Sequence, residues 1–86
     1  MTIALSPHVL ATETEGGLVL LDERAGKYWQ LNGSGATTLR LLLDGRSAEQ
    51  VADELTKGDP GAVPRAVADV RALVDSLRAA RLVVAS

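Results

Sequence analysis

Two periods of hydrophobic and polar residues run along this chain, and one gives way to the other near residue 32. Before that point, short aliphatic or β-branched runs are separated by turn residues. They are His8-Val9-Leu10-Ala11-Thr12-Glu13-Thr14, Leu18-Val19-Leu20-Leu21-Asp22 and Lys27-Tyr28-Trp29-Gln30-Leu31. The intervening Glu15-Gly16-Gly17 and Glu23-Arg24-Ala25-Gly26 carry glycines, which supply the positive φ that tight hairpins demand. The pattern predicts a three-stranded meander over residues 8–14, 18–22 and 27–31, with the third strand at an edge. A type I turn closed by a glycine bulge at Gly26 pairs Glu23 with Lys27 and Leu21 with Trp29. In that register Val19, Leu21, Trp29 and Leu31 share one face, with Trp29 and Leu31 as core beneath the helices. Leu20, Tyr28 and Gln30 take the other face, which makes Tyr28 the contact residue.

Three-four spacing then takes over. Ala36, Leu39, Leu42 and Leu43 mark a first helix, with Asn32 or Ser34 as N-cap and Gly45 as its stop. Ser47-Ala48-Glu49-Gln50 has the form of a capping box, and Ala48, Val51, Ala52 and Leu55 make the apolar face of a second helix that ends at Gly58. After Asp59-Pro60-Gly61, Pro64 suits a first helical turn. Val63, Val67, Val70, Val74 and Leu77 form the stripe of a longer third helix running to about Ala80, flanked by Ala66 and Leu73. Leu82-Val83-Val84 closes as a short extended segment. The reading is α+β: a three-stranded antiparallel sheet followed by three helices, in a winged helix-turn-helix-like arrangement.

Composition narrows the function. Eighty-six residues support a single domain spanning 1–86, and a hydrophobic content of 47% is enough for one core. With no cysteine there is no disulfide, thiolate metal site or cysteine nucleophile. The longest leucine run, Leu41-Leu42-Leu43, is far too short to span a membrane, and the N-terminus lacks signal-peptide character. The chain reads as a cytoplasmic protein. A net charge of −2 and a pI near 5.2 do not favour a phosphate-binding surface. A winged-helix DNA-binding regulator is the alternative with the same architecture. Against it, the third helix alternates Arg65, Asp69, Arg71, Asp75 and Arg78, which would bring carboxylates up to phosphates.

No catalytic constellation emerges. The one histidine, His8, has no motif around it that supplies a partner, and it reads as a structural residue. Gly33-Ser34-Gly35 lacks both the Gly-Lys-Ser/Thr ending of a phosphate loop and the third glycine of a dinucleotide fingerprint. Asp22 and Glu23 are adjacent, so an extended strand points them to opposite faces. The chain's two aromatic residues, Tyr28 and Trp29, are instead concentrated on the expected edge strand. Such an edge offers unpaired N–H and C=O groups to an extended peptide. Arg71 and Arg78, seven positions apart on one side of the third helix, are placed to meet carboxylates of a ligand lying along it.

The run Leu20 to Asn32, then Gly35, then Leu42-Leu43-Asp44-Gly45-Arg46-Ser47, resembles PqqD-like proteins. These are the RiPP recognition elements that bind leader peptides in pathways to ribosomally synthesised, post-translationally modified peptides. The resemblance extends over about residues 8–84 and is nearest to the free-standing leader-binding B-proteins of lasso peptide clusters. It implies a protein that is not an enzyme and needs no cofactor or metal. Its partners would be the precursor leader peptide, a separate cysteine-type leader peptidase and an ATP-dependent cyclase, with no nucleic acid or membrane among them. The resemblance further implies that the leader adds as a strand to Lys27, Tyr28, Trp29, Gln30 and Leu31 and packs over the third helix at Val67, Val70, Arg71, Val74 and Arg78.

Overall fold

The computed structural model describes residues 2–57 and 59–85. The element order is β1 (Ile3–Leu5), β2 (Val9–Thr14), β3 (Gly17–Asp22), β4 (Lys27–Asn32), α1 (Gly33–Leu43), α2 (Ala48–Thr56), α3 (Val63–Ala79) and β5 (Val83–Ala85). The expected meander is present as an antiparallel sheet of order β2-β3-β4, followed by the three helices. Its tight first turn needs Gly17, at φ +152°, because a Cβ there would lie 2.0 Å from the Leu31 carbonyl oxygen.

The register of the second hairpin differs by one residue from the bulged turn the sequence predicts. Asp22, not Glu23, pairs with Lys27, and Leu20, not Leu21, lies opposite Trp29. The cause is the Asp22 side chain. Its Oδ1 accepts from the backbone N–H groups of Arg24 (3.0 Å) and Ala25 (3.1 Å), while the Gly26 N–H donates to the Asp22 carbonyl at 2.8 Å. These bonds hold a four-residue loop, with Gly26 at φ +67° in the left-handed position that ends it. The shift exchanges the faces of β3. Leu18 and Leu20 are buried against the helices, opposite Leu31 and Trp29, and Leu21 shares the far face with Leu10 and Tyr28. Leu31 packs on the core as expected, but Trp29 stays 39% exposed and lies outside the core cluster.

The helix boundaries follow the caps. Asn32 accepts from the Gly35 N–H at the start of α1, and Ser47 and Gln50 form the reciprocal capping box of α2. The stop expected at Gly58 lies outside the described residues; α2 ends at Thr56, with Lys57 in the left-handed conformation. Pro64 sits in the first turn of α3. The core joins Leu18 and Leu20 to Leu39 and Leu42 of α1, Val51 of α2, and Val70, Val74 and Leu77 of α3.

A second, two-stranded sheet pairs β1 with β5, which the sequence reading did not include. It ties the first described residues to the last, with Ile3 and Val83 each 3% exposed. The joint is reinforced where buried Ser6 donates its N–H to the Leu82 carbonyl and its hydroxyl to the Arg81 carbonyl. α3 ends just before it in a Schellman motif: the Leu82 N–H donates to the Leu77 carbonyl and the Arg81 N–H to the Arg78 carbonyl.

Candidate functional site

Edge chemistry depends on which backbone groups face outward, and one bond beside the ladder determines this. The Glu23 N–H donates to the His8 carbonyl at 2.9 Å, in line with the β2–β3 register. Antiparallel residues send both backbone groups to the same side and alternate along the strand. Residues 17, 19 and 21 therefore bond to β2, and 18, 20 and 22 bond to β4. On β4, residues 27, 29 and 31 bond inward, leaving Tyr28 and Gln30 with their N–H and C=O directed away from the sheet. This is the parity the sequence reading reached, because the one-residue shift changes only the partners on β3.

Beside that edge lies a hollow of about 540 Å³. Its sheet side is Gln30, Leu31 and Asn32; its floor includes Gly35 and Thr38 of α1; α3 contributes Ala66, Asp69, Val70 and Leu73. Leu31, Leu55, Ala66, Val70 and Leu73 make its apolar part, and Gln30, Asn32, Ser34, Thr38 and Asp69 its polar part. The Thr38 hydroxyl, in a side chain only 5% exposed, donates to the Ser34 carbonyl, so it is already satisfied. A strand lying along β4 can satisfy its backbone at Tyr28 and Gln30 while an apolar side chain drops into the hollow.

The structure divides the residues expected to form the site. Lys27 to Leu31 stay together on the edge strand, with Tyr28 72% exposed on the sheet face turned away from the helices and Trp29 half exposed on the near face. Of the five α3 positions, only Val70 borders the hollow beside β4. Val67 packs on the core. Arg71, Val74 and Arg78 border a different hollow of about 380 Å³ against the start of α2, with Glu49 and Ala48. Arg71 is engaged there in an ion pair with Glu49 at 3.0 Å. On α3 the positions the sequence reading left out are Ala66, Asp69 and Leu73, of which Ala66 and Leu73 were visible only as flanks of the apolar stripe; Leu55 of α2, expected on that helix's apolar face, also borders the hollow.

His8 is in no catalytic arrangement: its Nε2 lies 3.8 Å from Asp22 Oδ1, and both side chains are largely covered. Among the described residues no cluster of His, Asp or Glu is suited to hold a metal ion. No described helix is long and apolar enough to cross a membrane.

Residues 17–83 match the family model of coenzyme PQQ synthesis protein D. The chain belongs to the PqqD family. Among solved structures, this PqqD-family chain is similar to a lasso peptide synthetase B1 complexed with its leader peptide, at 38% identity and a TM-score of 0.90, covering 99% of this chain and all of the other. It also shares the fold of TbiB1 in complex with the TbiA(beta) leader peptide, at 23% identity and a TM-score of 0.83, covering 100% of this chain and 98% of that one. No curated protein matches the chain.

Proposed function

We propose that this PqqD-family protein binds the leader segment of a ribosomally made precursor, of lasso peptide type, by strand addition to β4. The observation that carries the reading is the open β4 edge at Tyr28 and Gln30 beside the hollow walled by Ala66, Val70 and Leu73. Main-chain pairing gives affinity that tolerates varied sequence, and the hollow selects the side chain that enters it. A lasso peptide synthetase B1 that is 38% identical to this chain is found complexed with the leader peptide, which supports a leader as the ligand. Asp69 in the hollow wall opposes a phosphate backbone, which favours peptide over DNA.

The protein's role in this reading is presentation. It holds the leader for a separate cysteine-type leader peptidase and an ATP-dependent cyclase, and performs no chemistry itself. Purified protein incubated with precursor alone is expected to leave the precursor's mass unchanged.

Trp29 supplies the test, since it is the one tryptophan in the chain and lies half exposed on the binding strand. Titration with a synthetic lasso-precursor leader peptide is expected to shift Trp29 emission. Calorimetry should give a dissociation constant between micromolar and nanomolar, roughly −8 to −12 kcal/mol. Neither heat nor emission change at high leader concentration would refute leader binding.

A further inference from the structure

The protein is acidic overall, yet one of its corners is basic. Arg24 of the β3–β4 turn and Arg78 and Arg81 at the end of α3 converge on a hollow of about 610 Å³, which Ser6, Pro7, His8, Val83 and Val84 also line. A smaller hollow beside it, about 290 Å³, shares Arg24 and Arg81 and is bordered by Ala25 and Ala80. Three of the nine Lys and Arg residues are thus gathered in one place. The ion pairs among the described residues are His8–Asp22, Glu13–Arg40 and Glu49–Arg71, so these three arginines belong to none. Asp22 is the one carboxylate that lines these two hollows, and its Oδ1 already accepts the Arg24 and Ala25 N–H groups; Arg78 also borders the separate hollow lined by Glu49 and Asp75.

Arg81 is also conformationally unusual. It occupies the left-handed position of the Schellman motif, at φ +61°, where glycine is the unstrained choice. Its backbone is pinned by the Ser6 hydroxyl and by the Arg78 carbonyl. A strained arginine beside two other unpaired guanidinium groups is a feature that core packing does not require.

The corner lies at the end of the sheet where the β3–β4 turn leads into β4. β4 starts beside the turn that carries Arg24 and Ala25 and ends at Asn32 by the first hollow. α3 passes Ala66 to Leu73 at that hollow and reaches Ala80 and Arg81 at the corner. From Leu73 to Ala80 is seven residues, about 10 Å of helix, and from Gln30 back to Lys27 is about 10 Å of strand. β4 and α3 each have one end at the apolar hollow and the other near the basic corner, whose remaining wall is Ser6, Pro7 and His8 of the segment that leads into β2.

We propose that this corner binds carboxylate side chains of the same extended peptide that pairs with β4, about three to five residues away from the side chain seated in the hollow by Leu73. The proposal rests on the peptide reading above and adds a charge polarity to its ligand: apolar at one end, acidic at the other. Arginines stay charged at any working pH and hold carboxylates in bidentate fashion, so the acidic segment would fix the direction in which the leader lies.

The test is an NMR titration of the isotope-labelled full chain at low salt with acetylated tetraglutamate amide, with tetralysine amide and inorganic phosphate as controls. Tetraglutamate is expected to shift the side-chain Nε–H signals of Arg24, Arg78 and Arg81, and tetralysine is not. Equal shifts with phosphate would make the corner a general anion site and overturn the assignment to peptide carboxylates. No arginine shift with tetraglutamate would overturn it outright. The variant R81G removes the charge and relieves the backbone, so it is expected to melt no lower than the parent while binding the synthetic leader about fivefold more weakly. Unchanged leader affinity in a folded R81G/R24Q double variant would also overturn the proposal. If these arms fail while the leader still moves the Tyr28 and Gln30 amides, only the acidic polarity is lost; if those amides are also silent, the peptide reading fails with it.

Discussion

The three-stranded sheet has two edges, β2 and β4, and their surroundings differ. Along β2, residues 10–14 are exposed, and no β2 residue lines any of the four hollows described above. The Glu13 side chain is held by Arg40 of α1, whose Nε donates to Oε2 at 2.9 Å. Along β4, the same kind of open backbone lies beside a hollow walled by α3. A peptide pairing with β2 would gain backbone hydrogen bonds alone, each worth a net ~0.5–1.5 kcal/mol, against an association cost of several kcal/mol. A peptide on β4 adds apolar burial to the same bonds. The lesson is that an open edge becomes a binding site when a second element stands beside it.

The most direct way to break this comparison is to block each edge in turn. Proline removes an N–H and is tolerated on an edge strand only where that N–H faced outward. By the parity argued above, Gln30 on β4 and Ala11 on β2 are such positions. Gln30→Pro is expected to keep the circular dichroism spectrum and weaken leader binding at least tenfold, about 1.4 kcal/mol or more. Ala11→Pro should leave binding intact. Trp29→Pro, which deletes an inward bond to β3, should lower the melting temperature sharply. Native leader affinity in a folded Gln30→Pro protein would move the site off β4.

The wall can be tested separately from the edge. Leu73 is half buried in the free protein and borders the hollow, so a leader side chain seated there completes its burial. Leu73→Ala is expected to weaken leader binding by about fivefold, roughly 1 kcal/mol, through lost apolar area. Leu10→Ala, a similar truncation at a 50% exposed position on β2, should change binding little. Equal effects of the two would mean the hollow contributes no selectivity.

Much of this contrast was legible in the sequence, and the parts that were not have physical reasons. The strands, the helix start at Ser47, the choice of Asn32 or Ser34 for the start before it, and the outward parity of Tyr28 and Gln30 follow from local chemistry: turn glycines, caps and alternation. The β3 face does not, because it depends on one side chain, Asp22, holding a four-residue loop where glycine placement alone fits a three-residue one. The β1–β5 pairing joins residues about eighty positions apart in two three-residue strands, too short to carry a periodic signal. On α3 the apolar stripe marks what packs on the core. The groove lies at its flank, where small or polar residues such as Ala66 and Asp69 give no hydrophobic signal.

Arg71 sharpens the boundary of the site. It faces the start of α2 and pairs with Glu49 at 3.0 Å, with both side chains 62% exposed. Such an exposed pair contributes no more than ~1 kcal/mol. Arg71→Glu is therefore expected to change leader affinity by less than about twofold and to shift stability only slightly. A large loss of binding would extend the leader's path across α3 to the hollow beside Glu49.

The smallest effect is expected at the β2 edge, beside which none of the four hollows lies. The guanidinium of Arg40 donates to the Glu13 carboxylate and, by that hydrogen bond and its own positive charge, holds the Glu13 pKa below the ordinary value, while Arg40 is raised in turn. A depressed carboxyl pKa means the ionised form is favoured in the folded state. The pair's contribution is therefore fully present above the ordinary carboxylate range and is lost as pH falls through the folded-state pKa. Because both groups are open to solvent, the contribution is small and weakens with salt. Melting curves of the parent and of Glu13→Gln should differ slightly at neutral pH and low salt, with the parent higher, and should converge in acid and at high salt. Leader binding should be the same in both. A Glu13→Gln protein that bound leader more weakly would show that β2 takes part in recognition, and the distinction between the two edges would fall.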